Sequence, residues 1–65
     1  MDIKTISTDQ FSDVVENMKN PQKIGLYLIP EGKIWVACDN STGDAWTEEF
    51  KSRPAAVEWL KKSTK

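Results

Sequence analysis

The sequence predicts an α+β domain, with a three-stranded antiparallel meander flanked by one helix before it and one after it, in the order α-β-β-β-α. Three observations predict it. The run Lys33–Asp39, KIWVACD, alternates as a strand does. Two short loops ending in glycine, Pro30–Gly32 and Ser41–Gly43, bracket that run. Apolar residues at helical spacing fill the segments on both sides of it.

The first helix is expected over about 8–19. Ser7 and Gln10 have the spacing of a capping box, and Asp9 suits the positive end of the helix dipole. Phe11, Val14, Val15 and Met18 then follow at i, i+3, i+4 and i+7, a stripe suited to packing on a sheet, while Asp13 and Glu16 lie opposite. Asn20-Pro21 stops the helix, because the residue before proline is pushed out of the α region. Met1–Ile6 is a lead-in whose Ile3 and Ile6 cover the core edge.

The strands are expected at about 23–29, 33–39 and 44–50. Each loop has glycine third, the pattern of a type I turn followed by a left-handed glycine. The first loop then pairs Ile29 with Lys33, Tyr27 with Trp35 and Leu26 with Val36, so Ile24, Leu26, Leu28, Ile34, Val36 and Cys38 share one wholly apolar face. The second loop pairs Cys38 with Trp46 and Ile34 with Phe50, which adds both aromatics to that face. Glu48, opposite Val36, does not belong there; an edge position or a slip of one residue would release it.

Ser52 suits an N-cap, and Pro54 is tolerated in a first turn, so the second helix is expected over about 53–62. Ala56, Val57 and Leu60 form its inward stripe with Trp59 at the margin, and Lys61, Lys62 and Lys65 gather at the negative end of the dipole. Each helix has one apolar stripe and the sheet one apolar face, so both helices are expected on that one face. The other face is left to solvent, carrying Lys23, Gly25, Tyr27, Ile29, Lys33, Trp35, Ala37, Thr47, Glu49 and Lys51.

Composition narrows the chemistry. At 65 residues, 1–65 reads as one domain near the lower limit for a self-sufficient core. A net charge of −1 recruits neither nucleic acid nor acidic lipid in bulk. The chain has no histidine and one cysteine, Cys38, which removes Ser–His and Cys–His pairs, zinc clusters and disulfides; the inward parity of Cys38 makes it a small buried hydrophobe. Asp39–Asp44, DNSTGD, lacks the ligand order of a calcium loop, and Asn40-Ser41-Thr42 is a glycosylation sequon by chance in a turn. Glu48 and Glu49 are consecutive on a strand, so they point to opposite faces and cannot act as a catalytic pair. There is no glycine-rich phosphate loop, so no cofactor, no metal and no enzymatic activity are expected. No stretch approaches the ~20 apolar residues that span a bilayer. The N-terminus has no signal-peptide core, and the expected location is cytoplasmic.

Function is therefore expected on the open face. Tyr27, Ile29 and Trp35 would form the centre of a contact patch, with Lys23, Lys33 and Lys51 as its rim. The favoured expectation is a non-enzymatic accessory protein that binds another protein or a second copy of itself. The alternative is a nucleic-acid-binding module in which the aromatics stack on bases and the lysines meet phosphates. The segment Lys33–Lys62, ending in FKSRPAAVEWL, is loosely similar to the sheet-then-helix of phage-type integrase arm-binding domains, a likeness that implies DNA reading by a three-stranded sheet. It covers under half the chain, which departs from that pattern by its N-terminal helix and by having only Arg53 as arginine. Few lysines and the intervening Glu49 put protein binding first and nucleic acid second. The small size also suits an accessory protein of a bacterium or phage.

Overall fold

A four-stranded sheet with one helix on each face is what the chain builds, in a computed structural model that describes residues 2–63. The elements are β1 (Ile3–Thr5), α1 (Thr8–Glu16), a single 3₁₀ turn at Pro21–Lys23, β2 (Gly25–Glu31), β3 (Ile34–Asn40), β4 (Trp46–Phe50) and α2 (Arg53–Ser63). The strands lie in the order β1-β2-β3-β4. The α+β class and the helix–meander–helix succession hold. The lead-in becomes an additional strand: β1 pairs with β2 in parallel, Ile3 beside Leu26 and Thr5 beside Leu28. A parallel neighbour needs a long crossover, which α1 and the turn after it supply.

The helix start is as the sequence indicates. Ser7 Oγ accepts from the Gln10 N–H at 3.2 Å and Gln10 Oε1 accepts from the Ser7 N–H at 2.9 Å, a complete capping box. The end is not. α1 stops at Glu16 because Asn17 caps it: its backbone N–H and its side-chain amide both donate to the Asp13 carbonyl at 3.0 Å. Asn20-Pro21 opens the next turn instead of closing the helix, with Asn20 Oδ1 accepting from the Gln22 N–H at 2.9 Å.

The first hairpin corrects the expected register. Pro30 and Glu31 stay in β2, and the loop is the pair Gly32-Lys33. Gly32 has φ 63°, which suits the first central position of a type II′ turn. Ile29 thereby pairs with Val36 rather than Lys33, three positions further along. An odd displacement exchanges the faces of one strand relative to the other. Tyr27 and Ile29 now share a face with Ile34, Val36 and Cys38, whereas Leu26 and Leu28 share the opposite face with Trp35 and Ala37. The second connection is also longer than the expected Ser41–Gly43, running from Ser41 to Ala45. It shifts β4 by one residue, so that Trp35 pairs with Phe50 and Ala37 with Glu48. That slip releases Glu48 from Val36.

Two apolar faces call for two covers, so the helices do not share a side. On one face Val14 of α1 packs with Tyr27, Ile29, Val36 and Cys38, joined by Ile6, Phe11, Ile34 and Ala45. On the other, Ala56 and Leu60 of α2 pack with Leu26, Leu28 and Ala37, with Ile3, Trp35, Phe50, Val57 and Trp59 around them. Leu28, Ile29 and Leu60 are fully buried, and each contributes roughly 1.5–3 kcal/mol by leaving water. Ser52 caps α2, its Oγ accepting from the Ala55 N–H at 3.3 Å, and Trp59 meets Phe50 with ring centroids 6.0 Å apart. Lys65, expected to join Lys61 and Lys62 at the end of α2, lies outside the described residues.

Candidate functional site: the β4 edge

The six residues expected to form a contact patch are dispersed. Tyr27 is 5% exposed and Ile29 is fully buried, both in the core shared with α1. Trp35 is half-buried on the other side of the sheet, in the core shared with α2. Lys23 closes the 3₁₀ turn, Lys33 sits in the first hairpin loop, and Lys51 follows β4. The open aromatic face is therefore absent, and with it the platform on which the nucleic-acid alternative stood.

Polar groups concentrate instead where β3 ends. Asn40 is fully buried; its amide donates to the Met18 carbonyl at 3.0 Å and the Lys23 carbonyl at 2.8 Å, and its oxygen accepts from the Ala45 N–H at 3.0 Å. The Tyr27 hydroxyl donates to the same Lys23 carbonyl at 2.8 Å. This cluster holds the chain before β2 against the loop after β3. The acceptor asparagine of the Asn40-Ser41-Thr42 sequon is thus buried, with its amide engaged. Beside it, burial disfavours ionised Asp39, but hydrogen bonds from the Ser41 and Ser63 hydroxyls and the Ser41 N–H outweigh that, holding its carboxyl below the ordinary value. Burial, with the Asp39 charge adding to it, raises the fully buried Cys38 thiol to about 11. The sequence offered no route to Asn40, because only the correct register shows that it points inward.

A cleft of about 440 Å³ opens beside α1, lined among others by Lys4, Asp9, Asp13, Lys23 and Tyr27. Three of its polar side chains, Lys23, Asp13 and Tyr27, are engaged. Lys23 pairs with Asp13, whose hydrogen bond and charge raise the lysine above its ordinary pKa against a smaller lowering by burial, and the Tyr27 hydroxyl is held by Lys23. No group of three or more metal-ligating side chains occurs among the described residues.

The accessible chemistry lies on β4. Trp46, Thr47, Glu48 and Glu49 are exposed, and Trp46 is 65% exposed, the most open large hydrophobic residue on the molecule's described surface. β4 is the outer strand of the sheet, and its free edge can be located residue by residue. The Ile6 N–H donates to the Leu28 carbonyl at 2.8 Å, so Leu28 turns its backbone groups toward β1. Alternation along antiparallel strands then turns its partner Ala37 toward β4, where it meets Glu48. Thr47 and Glu49, one step to each side, direct their N–H and C=O groups off the sheet. The Glu49 N–H agrees with this, since it donates to the carboxylate of Glu48 at 3.4 Å rather than to β3.

The chain matches no protein-family model, no curated protein and no solved structure. No helix among the described residues is long and apolar enough to cross a membrane.

Proposed function

We propose that this chain is a small non-enzymatic binding module that recognises another protein through the β4 edge and the indole of Trp46. The carrying observation is the exposure of Trp46, 65%, in a domain whose other two tryptophans are packed around α2. Large aromatics left in water cost solvation, and a fold with a core this small gains most by burying them unless the ring serves a contact. Trp46 stands beside a strand edge with open backbone groups, so one apolar anchor and directional hydrogen bonds occur together. The non-enzymatic part of the proposal is supported by the absence of histidine and by a thiol that is fully buried and protonated at neutral pH.

The test is capture from native lysate with the wild-type chain, Trp46→Ala and Trp35→Ala side by side, after circular dichroism has established which variants are folded. The proposal requires a partner retained by wild type and lost by folded Trp46→Ala. Equal capture by both would overturn it.

A further inference from the structure

Resting on that protein-binding reading, we propose that the β4 edge takes up an extended, basic segment of its partner as an additional strand. Four features of the edge specify the occupant. Thr47 and Glu49 offer outward N–H and C=O groups, which only an extended backbone can satisfy in series. Glu48 and Glu49 are consecutive, so one carboxylate projects on each face of the sheet beside the incoming strand. Trp46 lies on the same face as Glu48, two residues away. No lysine or arginine lies between Asp44 and Phe50 to neutralise them. A segment running antiparallel to β4 fits when it reads basic, basic, small, apolar: the basic pair meets Glu49 and Glu48, and the apolar side chain meets Trp46.

Charge also selects against a second copy of this chain. The symmetric antiparallel pairing that uses both open positions sets Thr47 opposite Glu49, and Glu48 of one copy then faces Glu48 of the other. Like charges directly opposite in a ladder repel. The edge thereby refuses itself while accepting a strand of opposite sign, as protected natural edges do.

The experiment uses the full chain, labelled for amide NMR, and a blocked dodecapeptide with Thr-Lys-Arg-Thr-Val-Thr at its centre. A matched peptide with Glu-Asp in place of Lys-Arg is the control. The basic peptide is expected to shift and protect the Thr47 and Glu49 amides, with affinity reduced roughly ten-fold or more by Glu48→Lys/Glu49→Lys. That double variant is expected to prefer the acidic peptide. Thr47→Pro, which removes an outward N–H without breaking a bond to β3, is expected to abolish binding in a folded protein. No response at Thr47 and Glu49, equal response to both peptides, or a dimer already protecting these amides without peptide would each overturn strand addition. Capture from lysate that fails with Trp46→Ala but survives both Thr47→Pro and the charge reversal would leave the Trp46 surface standing and remove only the added strand.

Discussion

The side-chain amide of Asn40 donates to the Lys23 carbonyl at 2.8 Å, tying the last residue of β3 to the turn that launches β2. Its two other bonds, to Met18 and Ala45, draw in the exit of α1 and the entry to β4. Asn40→Ala removes all three bonds and strands the Met18 carbonyl and the Ala45 N–H, while the Lys23 carbonyl keeps the Tyr27 hydroxyl. The expected loss is about 2–4 kcal/mol in urea unfolding. A domain of this length has a total stability of roughly 3–10 kcal/mol, so the variant should be only marginally folded. A change below about 0.5 kcal/mol would show that water replaces the amide freely.

The class of the fold and both helix starts were legible in local chemistry. The Ser7 capping box, the Ser52 cap and the apolar residues Phe11, Val14, Ala56 and Leu60 all act within a few residues, where sequence patterns are informative. Of the rest of the first stripe, Val15 is exposed and Met18 lies beyond the end of α1. The sheet faces were not legible, for a physical reason. Leu26, Leu28, Ile34 and Val36 alternate as though one face were buried, but Tyr27, Ile29, Trp35 and Ala37 between them are apolar too. Strands buried on both faces carry no alternation that fixes register. Register then rests on which residues form the loop, and Pro30-Glu31-Gly32-Lys33 admits two closures. A loop of Pro30–Gly32 and a loop of Gly32-Lys33 differ by an odd displacement, which moved Tyr27 under α1 and Trp35 under α2. The Glu48 misfit was the visible symptom, because the register that buried it was one residue out. The Trp46 site was hidden for a different reason: Trp46 shares a face with Phe50, which packs against α2, and strand parity alone does not show that the Trp46 ring stays in solvent.

Trp35 and Trp46 should answer alanine substitution in opposite ways. Trp35 packs in the core beneath α2, and Trp35→Ala is expected to cost about 2–4 kcal/mol. Trp46 is largely in solvent, and Trp46→Ala should stay within roughly 0.5 kcal/mol of wild type. Thermal or urea unfolding of the two variants decides it. A destabilised Trp46→Ala beside a neutral Trp35→Ala would mean that α2 covers the Trp46 end of their shared face rather than the Trp35 end.

Two titrations bound the stable range. Asp39 has a lowered folded pKa, so its contribution is present above the unfolded value of about 3.9 and is lost as pH falls through the folded one. Asp39→Asn should therefore flatten the acid limb of a stability-against-pH curve. Cys38 behaves in the opposite sense: its folded pKa is about 11 against an ordinary 9.0, so between these values only the unfolded chain releases the proton. Stability should fall as pH rises through that interval, by up to about 3 kcal/mol, and Cys38→Ala should lose the alkaline slope whatever its stability at neutral pH.

The same thiol reports on opening. With Cys38 fully buried and protonated, a disulfide reagent at pH 8 should modify it only through unfolding. Labelling should accelerate with urea in step with the unfolded fraction and should be several hundred-fold or more slower than in the denatured chain, given about 4 kcal/mol of protection. Rapid labelling of the native protein would mean that the α1 face opens locally around Val14 and Tyr27.

Backbone alternation along β4 makes the most local prediction. The Trp46 and Glu48 positions turn their backbone groups toward β3, whereas those of Thr47 and Glu49 face solvent. Amide hydrogen exchange in the free protein should therefore be slow at Glu48 and fast at Thr47 and Glu49, the long bond from Glu49 to a mobile carboxylate giving little protection. Proline substitution probes the same parity by a different physical route. Thr47→Pro should fold, because the N–H it deletes is unpaired within the sheet, while Glu48→Pro removes a bond to Ala37 and should cost about 3 kcal/mol or more. If Glu48→Pro proves the milder of the two, the ladder is displaced by one residue from the Trp35–Phe50 pairing. The outward groups would then belong to Trp46, Glu48 and Phe50.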